Sequence, residues 1–544
     1  MTDENNQPGL RRRDFLKGGS LVAGSMILGG IDASDANAAT TLPKKWDIET
    51  DVVCVGYGGA GASSAISAHD NKADVLIIEK MAEGGGNTAV SGGGFLCPTN
   101  VEDAFTYFKS LFELSHSEMD EAVVRRFAEE SVKNADWVKS LRDGQDVVIY
   151  GHAGFPYMAG AQAMNKYNVK GARGRGPQFS ARNLFDLFIY AVEEKRKIPV
   201  MFNTRAKRLV QNGNGEVIGV IAETNGKTIN ILARKGVILT AGGYEYDPVM
   251  LQNSVKGYPI YAFGNPGNTG DGQRMAEAVG AQLWHMNGAS CPLGLKVPEY
   301  DGALQIRTAA SGFVIVDTLG NRFFNERGTE YHAGLLAVDF YDVHTQKHPR
   351  IPCYMIFDET TRRQGPVTVF SSVGYTGQKK NYKWSADNKS EIEKGWITQA
   401  SSVEELATKI GVDQASLSAT IGKWNQDIKG GKEDELFHRA ITAAKKPDAA
   451  ADEEARVLSS PIDNAPYYAI RLHPCLLNTQ GGPRRNVEAQ VVNPFGEPIP
   501  RLYGAGECGS MWGLIYQGAG NIGECMVFGR IAGKNCAALK PWKK

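Results

Sequence analysis

Gly56, Gly58 and Gly61, spaced as G-x-G-x-x-G and followed by Glu79, are the residues of this chain whose types and spacing point most directly to chemistry. A glycine at 56 permits a tight turn, one at 58 lets the backbone approach a pyrophosphate, and one at 61 lets a helix pack closely on a strand. The open N–H groups at the start of that helix, carried by Gly59 and Ala60 among others, suit phosphate oxygens. A carboxylate at Glu79 then accepts from ribose hydroxyls. The chemistry is dinucleotide binding, with NAD and FAD both open at this stage.

Such a turn works only if its flanking elements hold it. Asp51–Val55 is a short apolar strand, the glycines open a helix, and Asp74–Ile78 is a second strand ending at the acid. Residues 101–146 read as helices, from the apolar spacing of Phe105, Phe108 and Phe112 and then of Val123, Phe127 and Val132. Another helix is expected at 182–193. Pro199 to Gly243 alternates as strands do and ends in Ala241-Gly242-Gly243. Residues 297–466 change character to mixed strands and helices, and glycine-rich, strand-like sequence returns from Tyr467. The expected architecture is α/β: a Rossmann-like dinucleotide-binding domain (47–296 and 467–544) interrupted by an inserted α+β capping domain (297–466), with the active site between them.

The 544 residues suffice for two or more domains. Lysine plus arginine and aspartate plus glutamate are both 60, so the charge balance points to neither nucleic acid nor an anionic membrane as partner. The eight cysteines are scattered without C-x-x-C or C-x-x-C-H, so neither a c-type haem nor a standard iron–sulfur ligand set is encoded. No H-E-x-x-H, no metal loop and no nucleophile elbow is visible. At the N-terminus, Arg11-Arg12-Arg13-Asp14-Phe15-Leu16-Lys17, a mildly apolar run from Gly18 to Ile31, and Ala36-Asn37-Ala38 resemble a twin-arginine signal peptide spanning 1–38. The run is too short and glycine-interrupted for stable membrane insertion. That route exports folded proteins and so favours a tightly held redox cofactor, and it implies a periplasmic location.

Later segments favour a flavin. Lys80 and the stretch Gly86-Asn87-Thr88, Ser91-Gly92-Gly93 follow Glu79 closely and offer bare backbone and small hydroxyls beside the cofactor. A second glycine turn ends in Asp271. Gly506-Glu507 ends a strand with an acid for ribityl or ribose hydroxyls, and Asn521 and Ile522 open the last helix, whose positive end could stabilise a reduced ring.

In this order the motifs resemble the fumarate reductase and succinate dehydrogenase flavoprotein superfamily, over nearly all of 47–540. The resemblance is closest to its branch of 3-ketosteroid dehydrogenases and exported ene-reductases, through Gly85-Gly86-Asn87-Thr88, Asn321 to Glu326, Gly518-Ala519-Gly520 and Phe528 to Gly533. It implies FAD, and a non-covalent one, because covalent members carry a histidine near the position of Asn87. Fumarate reductases hold their dicarboxylate with a histidine and an arginine where this chain has Asn478 and Gln517. The proton-donating arginine of those enzymes is also missing after Glu326. Arg327, Arg484 and Arg485 could serve a carboxylate only in a different geometry.

The same resemblance implies that Tyr516 and the Gly520 N–H polarise a substrate ketone and that Tyr331 exchanges a proton at a neighbouring carbon. The expectation is a periplasmic FAD enzyme acting on the carbon–carbon bond beside a carbonyl, as an enone reductase or a 3-ketosteroid-type dehydrogenase. An unsaturated-carboxylate reductase is the alternative, and a flavin electron relay a further one. Its substrate would be a neutral unsaturated ketone and its electron carrier an external cytochrome or quinone protein. His473 and His285 read as structural or cavity-wall residues, and His152, Phe155 and Tyr157 as a lip over a flat ligand.

Overall fold

Val52, Val53, Cys54 and Val55 are all buried, as a strand covered on both faces requires. They belong to Ile48–Val55, the centre of an eight-stranded sheet. The computed structural model describes residues 42–170, 182–328, 330–368, 372–373, 382–431, 433–442 and 457–542. The targeting segment expected at 1–38 lies outside them.

Ile48–Val55 pairs in parallel with Val75–Ile78 on one side, with Val52 opposite Val75 and Val55 opposite Ile78. On the other side it pairs in parallel with Lys227–Leu239. Val200–Met201 extends the first edge and Pro498–Gly504 the second, both in parallel. The strands Thr204–Gln211 and Val217–Thr224 form an antiparallel meander that returns through Lys227–Leu239. The helix Gly59–Asp70 packs against the last helix, Gly520–Ala538. Glycines make that contact: a Cβ on Gly533 would come within 2.2 Å of the Ser64 carbonyl, and one on Gly529 within 2.7 Å of the Ser63 Cβ.

A second, seven-stranded sheet is built around Tyr467–Leu476, which pairs with Cys353–Asp358, Leu293–Leu295, Ile397–Ala400 and Tyr261–Ala262. The chain rejoins the first sheet at Gln490–Val492. On one face lie the helices Val403–Ile410 and Gln414–Lys429, capped by the Ser402 and Asp413 side chains, with Leu406, Leu417 and Trp424 against Val314, Val316 and Ile356. Two residues of the Asn321–Glu326 motif fix this lobe. Arg322 bonds Glu326 and Asp434 at 2.8 and 2.7 Å, all nearly solvent-free, while Glu326 accepts from the Ile315 N–H. The architecture is α/β, a Rossmann-like sheet with an α+β lobe inserted. All eight cysteines are buried thiols. Among the described residues no helix is long and apolar enough to cross a membrane.

Candidate active site

The first strand ends at Gly56, whose φ of +105° and lack of a Cβ are both needed, since a Cβ would stand 2.5 Å from the Thr240 carbonyl. Gly61 is packed harder still, 2.0 Å from the Gly56 carbonyl by the same measure. Gly58 precedes the helix Gly59–Asp70 without any side-chain cap, so the helix start is left to a ligand. Gly59 is tied to the next turn by donating its N–H to the Thr88 hydroxyl at 3.0 Å.

This turn opens on a cleft of about 740 Å³, part of it open to solvent. Of the residues expected to bind a cofactor, Gly56, Gly58, Gly59, Ala60, Glu79, Lys80, Gly86, Asn87, Thr88, Ala241, Gly242, Asp271 and Glu507 line it. Glu79 accepts from the N–H groups of Tyr57 and Met81, both at 2.8 Å, and burial raises its pKa. Lys80 reaches Asp271 at 2.9 Å and Arg205 reaches it at 2.7 Å. Burial opposes ionisation of Asp271, but these two cations outweigh it and hold the carboxyl below its usual range.

The remaining expected residues lie elsewhere. Gly61 packs behind the turn, and Gly506 lies behind Ala60, 2.7 Å from its methyl were a Cβ present. Ser91, Gly92 and Gly93 form a local turn in which the Ser91 hydroxyl takes the Gly93 N–H and donates to the Thr88 carbonyl. Gly92 gives its carbonyl to Asn168. Ile522 is buried in the last helix, and beside it the Asn521 Oδ1 is buried with no hydrogen-bond partner among the described residues. A bare helix start and a cleft of ligand size fit a dinucleotide such as FAD.

Thr204, Thr240, Asn265 and Asn268 also line the cleft, and Glu245 stands behind it. Asn265 and Asn268 lie in the second glycine turn that ends in Asp271 but are not singled out there, and Thr204, Thr240 and Glu245 are not among the residues expected to bind. Asn87 Nδ2 donates to Glu245 at 2.8 Å and to both oxygens of Glu507 at 2.9 and 3.0 Å, while its Oδ1 takes the Asn265 N–H at 2.7 Å. Only Glu507 and Asn87 of this network were legible as cofactor residues.

The residues expected to do chemistry gather around His332. Its ring lies 5.3 Å from Tyr331 and 4.7 Å from Tyr516 between centroids, and Glu330 holds its Nδ1 at 2.7 Å. Burial raises the pKa of both phenols, so each keeps its proton through the physiological range. The Arg307 guanidinium lies 4.8 Å over the Tyr331 ring and pulls the other way. Gly520 is placed differently from its expected role. Its N–H donates to the Gln517 carbonyl at 2.8 Å, and its missing Cβ makes room for Trp512, which would otherwise be 2.7 Å away.

Gln517 itself is buried and held on two sides, by the Tyr107 hydroxyl at 2.6 Å and the Ala153 carbonyl at 2.9 Å. Asn478 is a buried neutral amide. The three arginines that could have replaced a cationic clamp are engaged elsewhere. Arg327 bonds the carbonyls of Thr308 and Ala310, Arg484 pairs with Glu118 and Asp120, and Arg485 is buried against Glu524. His285 is buried between the carbonyls of Ser510 and Glu118, and His473 lies edge-on to Tyr261.

Residues 51–522 match the FAD binding domain family. A digoxin reductase of Eggerthella lenta is 28% identical over 605 residues, covering 98% of this chain and 98% of its own. An NADH:fumarate oxidoreductase of Klebsiella pneumoniae is 27% identical over 525 residues, covering 93% of this chain, which spans only 49% of that relative's length. Among solved structures, 3-ketosteroid delta1-dehydrogenase from Sterolibacterium denitrificans, in complex with 1,4-androstadiene-3,17-dione, superposes with a TM-score of 0.74 at 22% identity. That match covers 90% of this chain and 99% of that one, and it speaks to the fold.

Proposed function

This chain belongs to the FAD binding domain family and is an FAD-dependent oxidoreductase, and from that premise we propose that it reduces a carbon–carbon double bond conjugated to a neutral carbonyl. The observation that carries the reading is the engagement of Arg327, Arg484 and Arg485, together with neutral Gln517 and Asn478 where a carboxylate clamp would stand. A carboxylate needs paired cationic donors to replace its water, and a ketone needs only one or two neutral ones.

Bound FAD, held non-covalently along the cleft beside Asn87, supplies hydride exchange with a carbon of the substrate. Tyr516 donates its hydroxyl to the carbonyl oxygen as negative charge grows there. With the Gly520 N–H engaged by Gln517, Tyr516 is the donor in this arrangement. Tyr331 gives a proton to the other carbon, and Arg307 over its ring steadies the phenolate left behind. Burial keeps both phenols in the protonated form that a hydrogen-bond donor to the carbonyl requires, and Arg307 opposes that shift at Tyr331, easing release of its proton. In the division 47–296, 297–466 and 467–544, Tyr331 comes from the cap and Tyr516 from the returning domain, with the substrate between.

The twin-arginine pattern supports a periplasmic enzyme loaded with its cofactor before export. NAD(P)H is not ordinarily available there, so a cytochrome or a membrane quinone protein would bring the electrons. One observation favours a second reading: Arg307 is exposed beside Tyr331 and could hold a single carboxylate, as an unsaturated-carboxylate reductase requires.

The protein, reduced anaerobically with a viologen dye, can be offered fumarate, urocanate, cinnamate and a 4-ene-3-ketosteroid. Flavin reoxidation by the enone alone supports the proposal. Reoxidation by carboxylates alone replaces it with the Arg307 reading, and reoxidation by none favours an electron relay.

A further inference from the structure

Glu245 is buried and Glu507 is half-buried at the cleft, and one amide nitrogen, Asn87 Nδ2, donates to both carboxyls. Asn268 Nδ2 does the same from another side, at 3.1 Å to Glu245 and 3.5 Å to Glu507. Two amide nitrogens shared in this way hold the two carboxyls side by side, and two carboxylates have only lone pairs to offer each other, so a proton is what would join them. The Glu245 Oε2 is buried and receives no donor among the described residues.

We propose that Glu245 and Glu507 hold a single proton between them, so that the cleft meets its cofactor with one negative charge and one carboxyl O–H, and that Glu245 is in this way a cofactor-retaining residue. Glu507 lines the cleft and Glu245 stands behind it, each completing the other. The inference rests on FAD as cofactor and is independent of the substrate.

The surroundings leave the proton nowhere better to go. Asn87, Asn268 and Asn478 are neutral amides around the pair. Tyr244 faces Glu245, and Cys508, Cys525 and Tyr516 face Glu507. Burial raises the pKa of each of these four, so they stay uncharged at neutral pH. The groups acting most strongly on the two acids are their burial, the amides and each other, not a lysine or arginine. Two bare charges bridged by one amide, one of them buried, would repel, and sharing one proton removes that cost.

Burial pushes Glu245 up to about 7 and lifts Glu507 well above the carboxylate range, its neighbour's charge adding to the effect. The pair therefore keeps a proton at neutrality, where two ordinary glutamates would hold none, and sheds it as pH rises further. Losing it sets two carboxylates against each other around Asn87 and loosens the wall that Glu507 presents to the cofactor.

The test is the rate of FAD release from the holoprotein on dilution, followed by flavin fluorescence. Release should quicken about tenfold between about pH 6 and about pH 9 in the wild type. In Glu245→Gln, whose amide takes the place of the protonated partner, the change should shrink to within about twofold. An unchanged wild-type rate, or full pH dependence retained in the variant, overturns the proposal. Should the variant not hold FAD, the infrared band of a protonated carboxyl in the wild-type holoprotein decides. The band should be present at the lower pH and fade at the higher, and its absence at both overturns the proposal.

Discussion

The Tyr107 hydroxyl donates to Gln517 Oε1 at 2.6 Å and accepts the Phe155 N–H at 3.1 Å. Three separated segments thus meet beside Tyr516: the helix Val101–Ser115, the loop at 153–155 and the turn before the last helix. Gln517, which the family resemblance sets where fumarate reductases carry a substrate-binding arginine, has an amide that ties these walls together. Tyr107→Phe should cost about 1–3 kcal/mol, since it leaves two buried polar groups without this partner. Denaturant unfolding measures that loss, and an unchanged midpoint would remove the bond from the account.

Tyr516→Phe should lower kcat/KM about 10²–10³-fold with the flavin absorption spectrum intact, as loss of one oxyanion donor does. Tyr331→Phe should lower kcat by about 10²–10⁴-fold, the range for removing a positioned proton donor. Equal turnover by either variant would exclude that phenol from the reaction. An altered spectrum would mean that the substitution had disturbed the cofactor instead.

His473 gives a stability dependence of known sign. Burial depresses its folded-state pKa to about 4. Its unfolded-state value is about 6.5, so between these values the unfolded chain binds the extra proton. The stabilisation is present above about pH 6.5 and is lost as pH falls towards about 4. The melting temperature of the wild type should therefore fall more steeply across this window than that of His473→Gln. Parallel curves would show that this histidine is not held neutral.

Substitution of the glycine turn should separate folding from binding. Gly61→Ala forces a Cβ to 2.0 Å from the Gly56 carbonyl, and it should yield little folded protein. Gly58→Ala has its nearest backbone neighbour at 3.7 Å, so the protein should fold but retain FAD less well, because the new methyl lies at the phosphate approach. The ratio of flavin to protein after gel filtration, alongside the melting temperature, distinguishes the two outcomes.

The parts legible in the sequence share a physical cause: each is local. Gly56 to Gly61, Glu79 and the second turn ending at Asp271 announce themselves through spacing within a strand–turn–helix unit. Tyr331 and Tyr516, 185 positions apart by their numbering, came only through likeness to a family, and what joins them is His332, held by Glu330. Glu245 carried no signal, because its importance depends on Asn87 and Glu507, each more than a hundred residues away in the chain. The engagement of Arg327 and Arg485 is likewise invisible in sequence, since backbone carbonyls and a buried Glu524 hold them. Tyr467–Leu476 looks like glycine-domain sequence but forms the middle of the second sheet, because pairing partners decide where a strand lies.

The glycine-mediated contact between the helices Gly59–Asp70 and Gly520–Ala538 joins segments far apart in the order of synthesis. Glu507 and Cys525 help to wall a cleft whose phosphate end was synthesised more than four hundred residues earlier. The last helix must therefore be made before the cofactor has a home, and occupancy of that home reports that these two distant segments have met.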